Sequence, residues 1–215
     1  MNDKVAGATA AKAQPMKPLP EDALIIIPMR NTVLFPGVIS PVTVGRASSV
    51  AAAQEAVRSE KKVGFLLQRN PQTNDVKPED VYWVGTAGQV VRYITGAEST
   101  HHLVVQGQSR FRVLEFLAGW PFLVARVQFI EQKEEMNPQL EARFLQLKAQ
   151  AVEAISLLPS APEELSVVVQ GMTSPALLAD MVANLLDIKN EDKQDLLETF
   201  DLLRRLDKVL EHLSE

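Results

Sequence analysis

Apolar residues in the first 130 positions follow the alternating pattern that is typical of β-strands. The sequence predicts one helix in this region, over residues 51–57, with Ser48 and Ser49 as its candidate N-terminal caps. Strands that are joined by short turns favour a small mixed or antiparallel sheet that curls on itself. The predicted strands cover residues 24–27, 38–44, 63–67, 81–94, 102–116 and 122–130.

Apolar residues recur at helical spacing after position 131. Asn137 and Ser174 each precede a proline and predict a cap followed by the first residue of a helix. Ser160 and Glu163 have the spacing of a capping box for a further short helix. The last helix is predicted to begin at Asn190 and to run to the end of the chain. It carries a seam of about 3.5-residue period, formed by Leu196, Leu203, Leu206, Leu210 and Leu213.

These patterns divide the chain into three parts. Residues 1–22 are rich in alanine, lysine and proline and are predicted to be a flexible tail. Residues 23–130 are predicted to form a β-rich lobe with one helix, and residues 131–215 a helical lobe. The predicted fold class is therefore α+β. Because no stop signal for the last helix precedes the end, we expect the chain to be truncated within that helix and to belong to a longer protein.

Composition excludes several classes of function. The chain has no cysteine, which excludes disulfides, cysteine-ligated metal sites and thiol nucleophiles. It contains no Gly-Lys dipeptide, so it holds no phosphate-binding P-loop. No segment approaches the ~20 apolar residues of a membrane span, and a net charge of −5 argues against a general nucleic-acid binder. We expect a cytoplasmic protein with no membrane partner.

Two groups of polar residues are weaker candidates for a site. His101 and His102 are adjacent on a predicted strand, so they point to opposite faces and do not readily share a metal ion. A small hydrolase that uses either histidine is the weakest alternative. Arginines on the predicted strands would line one basic face, which would contact RNA or an acidic peptide, although no aromatic residues interleave with them. These arginines are Arg92, Arg110, Arg112 and Arg126.

The strongest candidate is the apolar segment at residues 27–38, which is interrupted by a polar turn and then by Pro36-Gly37. We expect four of its residues to form an apolar lip that is partly exposed. A lip of this kind binds extended or unfolded polypeptide without strict sequence preference. The predicted substrate-binding residues are Met29, Phe35, Pro36 and Val38.

The same segment resembles a known protein family. Its sequence PMRNTVLFPG at residues 28–37, followed by PVTVGR at 41–46, resembles the opening of the N-terminal domain of Lon, the ATP-dependent serine protease. The resemblance covers about residues 24–215. Further matches lie at residues 84–86, 105–111, 192–198 and 204–206.

The resemblance implies a β-rich lobe related to PUA-like pseudo-barrels, followed by a helical lobe. It implies a role in recognising unfolded or misfolded protein substrates and in supporting a hexameric assembly. The ATPase and the Ser–Lys dyad of the family have no counterpart in this chain, so we assign no catalytic residue, metal or cofactor to it and expect no enzymatic activity. ATP and magnesium are expected only in a full-length parent. The alternative is a stand-alone PUA-like module that binds RNA or another protein.

Overall fold

The computed structural model describes residues 17–98, 100–160 and 162–214, and most of the predicted flexible tail lies outside these ranges. The strands occupy the first part of the chain together with one long helix and a short 3-10 turn. The strands are β1 (Ala23–Met29), β2 (Ile39–Val44), β3 (Val63–Leu67), β4 (Val84–Thr95), β5 (His101–Leu117) and β6 (Leu123–Phe129). The helix is α1 (Ala47–Ser59), and the 3-10 turn is Pro78–Asp80.

All six strands belong to one mixed sheet in the order β2-β5-β4-β3-β1-β6. Strands β1 and β3 are parallel, and the other neighbouring strands are antiparallel. Strand β6 also pairs with the second half of β5, so five strands close into a ring and β2 remains as an edge. This closed sheet confirms the predicted α+β fold with a β-rich pseudo-barrel. Pro41 fits the edge position, because proline has no N–H to donate to a further strand.

Five helices follow the sheet and pack on one another. They are α2 (Pro138–Ser156), α3 (Glu163–Gly171), α4 (Pro175–Leu185), α5 (Asn190–Glu198) and α6 (Leu202–Leu213). Among the described helices, none combines the length and the apolar character that a bilayer crossing requires.

Two of the predicted helix caps are confirmed. The side chain of Asn137 accepts a hydrogen bond from the backbone N–H of Leu140, and that of Ser174 accepts one from Leu177. The other predicted caps are wrong. Helix α1 begins after Arg46 without a side-chain cap, and α3 begins in the same way after Pro162.

The structure divides the predicted last helix into α5 and α6. The backbone leaves the helical conformation at Thr199, whose side-chain hydroxyl donates to the carbonyl oxygen of Asp195 at 2.7 Å. Asp201 then starts α6 by accepting a hydrogen bond from the backbone N–H of Arg204 at 3.0 Å. Both helices turn their leucines towards the same core, which explains why the leucine pattern continues across the break.

The core of the helices extends into the segment that follows β1. Side chains from α2, α4, α5 and α6 share one buried cluster with Val33, Phe35 and Val38. A second buried cluster lies between the sheet and α1, and a third draws side chains from all five strands of the ring. The segment between β1 and β2 is therefore the main apolar contact between the sheet and the helices.

Candidate functional site

A cleft of about 540 Å³ lies where the sheet meets the start of α4. Strand β5 and the Pro36-Gly37 turn form one wall, and the end of β6 with the segment after it forms another. The first turn of α4 forms the third wall. We call this feature the α4 cleft. Its principal lining residues are Pro36, Arg110, Phe129, Glu134, Leu177 and Asp180.

The floor of the α4 cleft is a buried ion pair between β5 and α4. The Nη1 and Nη2 atoms of Arg110 donate to the two carboxylate oxygens of Asp180, each at 2.7 Å. The Nε atom of Arg110 donates to the carbonyl oxygen of Leu197 at 2.9 Å, which brings α5 into the same contact. Arg110 is 5% exposed and Asp180 is 2% exposed, so this two-point pair is shielded from water and fixes the sheet against two helices.

A second guanidinium shares the carboxylate of Asp180. The Nη1 atom of Arg205 lies 3.2 and 3.4 Å from the two carboxylate oxygens, and its Nε donates to the carbonyl oxygen of Thr199 at 3.0 Å. The side chain of Gln132 accepts from Arg205 as well. Burial, followed by the nearby charge of Arg110, lowers the pKa of Arg205 to about 10. Arg205 thus remains protonated at neutral pH, and the single carboxylate of Asp180 lies between two buried positive charges.

The N-terminal end of α4 is already occupied by a carboxylate. One oxygen of Glu134 accepts hydrogen bonds from the Ser174 hydroxyl at 2.5 Å and from the backbone N–H of Ala176 at 2.9 Å. A negative charge is favourable at this end of a helix. The segment after β6 is tied to α4 by these contacts, and this helix terminus is not free to take an anionic ligand.

The rim of the α4 cleft is apolar. Phe129 is 49% exposed and Leu177 is 39% exposed, although both are large apolar side chains. Pro36 and Ile130 are partly exposed beside them. The polar groups of the floor bond to one another, so the accessible surface of the cleft favours an apolar ligand over a charged one.

Three of the four predicted substrate-binding residues have almost no accessible surface. Met29 is 7% exposed, Phe35 is 0% exposed and Val38 is 8% exposed, so the expectation of an exposed lip at these positions is wrong. Phe35 and Val38 pack into the core of the helices, and Met29 packs in the cluster between the sheet and α1. Pro36 is partly exposed and lines the α4 cleft. Substrate binding by the four residues stays a prediction. Pro36 is the one of the four whose side chain is accessible from the cleft.

The other candidate residues do not assemble into a site. His101 contacts the hydroxyl of Tyr93 at 2.5 Å, whereas His102 contacts the hydroxyl of Thr43 at 3.2 Å. The described part of the chain holds no cluster of three or more His, Cys, Asp or Glu residues suited to a metal ion. Arg110 is withdrawn from the predicted basic face by its pairing with Asp180, while Arg112 is exposed and bonds Gln128.

Several residues of the α4 cleft are absent from the sequence prediction. Asp180 lies on a helix that the sequence indicates through its cap and its apolar spacing, and neither indicates that Asp180 meets Arg110. Phe129 and Leu177 belong to a strand and a helix as ordinary apolar members. Of these residues, only Asp180 could have been identified from the sequence, since a carboxylate among the apolar residues of α4 indicates a buried partner of opposite charge.

The sequence matches the family model described as the ATP-dependent protease La (LON) substrate-binding domain, over residues 23–215. Lon protease of Methylocella silvestris is 45% identical over 195 residues, which cover 91% of this chain and 24% of that protein. Lon protease of Phenylobacterium zucineum is 46% identical over 198 residues, which cover 92% of this chain and 25% of that protein. The chain thus spans about a quarter of the length of these relatives.

Two solved structures share the fold. The N-terminal domain of Lon protease from the Mycobacterium avium complex superposes with a TM-score of 0.72 at 20% identity and covers 90% of this chain and 98% of that one. The Lon N-terminal domain protein of Xanthomonas campestris superposes with a TM-score of 0.62 at 19% identity and covers 88% of this chain and 97% of that one. The family match over nearly all described residues shows that the chain belongs to the substrate-binding domain family of the ATP-dependent protease La, or Lon.

Proposed function

We propose that the chain recognises substrates for an ATP-dependent Lon-type serine protease, and that the α4 cleft binds extended apolar segments of unfolded or misfolded proteins. The exposed side chains of Phe129 and Leu177 beside a self-paired polar floor are the observation that carries this proposal. In this proposal the longer parent supplies the ATPase, the magnesium ion, the cleavage site and a hexameric assembly, which this domain supports.

The chemistry of the cleft fits binding without catalysis. Arg110 and Asp180 on its floor are bonded to each other, so the buried carboxylate is held by guanidiniums and is not free to act as a nucleophile or a general base. Its volume lies within the range of pockets that enclose a few side chains. Each apolar side chain that a substrate covers gains about 25 cal/mol per Å² of area removed from water. Single contacts are therefore weak, and several copies in one assembly would raise the overall affinity.

Binding of a permanently unfolded, fluorescently labelled model protein to the 215-residue chain tests the proposal. We expect Leu177→Gln and Phe129→Asn each to weaken binding about fivefold to tenfold, because each removes about 1 kcal/mol of apolar contact. The matched control is Leu185→Gln, which changes an apolar residue of the same helix that is 59% exposed and lies outside the cleft.

Thermal melting of each variant shows that the fold is retained before binding is compared. Equal affinity for the Leu177→Gln, Leu185→Gln and unmodified chains would remove the α4 cleft from the proposal. Absence of any binding by the unmodified chain would contradict the proposed function itself.

A further inference from the structure

A second cavity, of about 290 Å³, lies beside the edge strand β2 at the place where α1 begins. The turn after β1 forms one side, and β2 with the first turn of α1 forms the other. This cavity shares no lining residue with the α4 cleft. We call it the α1 pocket. Its polar lining residues are Arg30, Asn31, Thr32, Thr43, Arg46 and Ser49.

Two guanidiniums of the α1 pocket have only neutral partners among the described residues. Arg30 donates to the carbonyl oxygen of Pro71 at 2.7 Å and to the side-chain oxygen of Asn74 at 3.0 Å. Arg46 donates to the side-chain oxygen of Gln68. Burial, followed by the charge of Arg30, lowers the pKa of the Arg46 guanidinium. The pocket therefore concentrates positive charge that no described carboxylate neutralises.

The start of α1 adds hydrogen-bond donors to the same pocket. This 13-residue helix has neither a side-chain cap nor an acidic residue in its first turn. Its first backbone N–H groups are thus left without a side-chain acceptor. Ser49 is only 4% exposed and lines the pocket, and its hydroxyl makes no hydrogen bond to another described residue. At α4, in contrast, the carboxylate of Glu134 already fills the equivalent position.

We propose that the α1 pocket binds a phosphate group, which the guanidiniums of Arg30 and Arg46, the hydroxyl of Ser49 and the first N–H groups of α1 hold together. A phosphate monoester carries a charge of about −1.5 to −2 at neutral pH. It therefore balances two guanidiniums, whereas a carboxylate balances one. Guanidinium groups and helix N-termini both donate in directions that suit phosphate oxygens. The group is either free inorganic phosphate or the phosphoryl group of a modified side chain.

Nuclear magnetic resonance titration of the 215-residue chain, at constant ionic strength, tests this site with inorganic phosphate and with O-phosphoserine as separate probes. We expect saturable shifts of the amide signals of residues 47–49. Arg30→Gln and Arg46→Gln should each weaken binding about tenfold, because each removes charge-assisted hydrogen bonds. Ser49→Ala should weaken phosphate binding less, because the variant keeps both arginines. Alanine also favours a helix, so this variant should keep its fold. The matched control is Arg92→Gln, since Arg92 is exposed on β4.

The outcomes separate the site from general attraction to charge. If O-phosphoserine binds more tightly than inorganic phosphate, the site is supported and its ligand is a phosphorylated side chain. If inorganic phosphate binds more tightly, the site is supported and its ligand is the free anion. Absence of saturable shifts in the first turn of α1 overturns the proposal. Equal affinities of the Arg30→Gln and Arg92→Gln chains overturn it as well.

Discussion

Gly107 has no side chain, which allows β5 to lie directly against the segment between β1 and β2. A Cβ atom at this position would lie 2.3 Å from the carbonyl oxygen of Phe35. The backbone of Gly107 also accepts a hydrogen bond from the N–H of Gly37 at 2.9 Å and donates one to the carbonyl of Val38 at 2.8 Å. The close approach of β5 to this turn thus holds Phe35 in the helical core and Pro36 at the cleft.

Gly107→Ala is expected to lower the free energy of unfolding by about 1–3 kcal/mol, because the added methyl group meets backbone that cannot rotate away. Urea denaturation measures the change. Gly45→Ala is the control, since a Cβ atom there has no heavy atom within 4 Å. The control should change stability by less than about 0.5 kcal/mol. Equal midpoints for the two variants would show that the turn is free to move away from β5.

Residue-scale errors in the sequence prediction have one physical cause. Alternation along β5 correctly places Phe111 and Arg112 on opposite faces of the strand, but it does not show what covers each face. Arg110 was expected to face solvent, and instead α4 and α5 cover it. Phe35 was expected to be partly exposed in an apolar lip, and instead the helices enclose it. Both outcomes depend on residues far away in sequence, which a local pattern does not contain.

Side-chain caps at Asn and Ser were predicted correctly only where a proline followed the capping residue. Asn137 and Ser174 each precede a proline that fixes the first helical φ, so the local sequence alone places the helix start. Ser48 and Ser160 lack this second constraint, and neither acts as a cap. The break before Asp201 was missed because the leucine spacing runs through it, although Asp is itself a strong capping residue.

Asn137→Ala is expected to reduce the free energy of unfolding by about 1 kcal/mol, since the N–H of Leu140 loses the acceptor that lies 2.9 Å away. Ser48→Ala should leave stability unchanged or raise it by a few tenths of a kcal/mol, because Ser48 lies inside α1 and alanine favours a helix. Thermal denaturation of both variants makes the comparison. A larger loss for Ser48→Ala than for Asn137→Ala would contradict the observed cap assignment.

Across the whole molecule, the sheet and the helices are joined by an apolar core and by one buried charge network. The sequence predicted both regions and the closed sheet, because periodicity and strand spacing are local properties. It did not predict the network, since Asp180 is 70 residues from Arg110 and 25 residues from Arg205. The same limit applies to the α4 cleft, whose walls come from three separate stretches of the chain. Pairing of charges across such distances is decided by packing, and residue type alone does not reveal it.

Asp180→Asn is expected to destabilise the fold by about 3–5 kcal/mol, because it leaves the guanidiniums of Arg110 and Arg205 buried without a counter-charge. The matched control is Asp207→Asn, which breaks the exposed pair with Arg143 and should remove no more than about 1 kcal/mol. Urea denaturation of both variants and of the unmodified chain gives the comparison. Losses of equal size would show that the buried network contributes no more than a surface pair.

The pKa of Arg205 determines how this loss depends on pH. Its folded-state pKa of about 10 lies below its ordinary value, so the stability that this group contributes is present only above the unfolded pKa and is lost as pH falls through about 10. Between about pH 6 and pH 9 both the folded and the unfolded chain keep the proton, and the group adds no slope. Asp180 raises the pKa of Arg205, so its removal lowers that pKa further, and the loss of stability in Asp180→Asn should shrink as pH rises towards 9. A difference that grows towards pH 9 would contradict this effect of Asp180 on the pKa of Arg205.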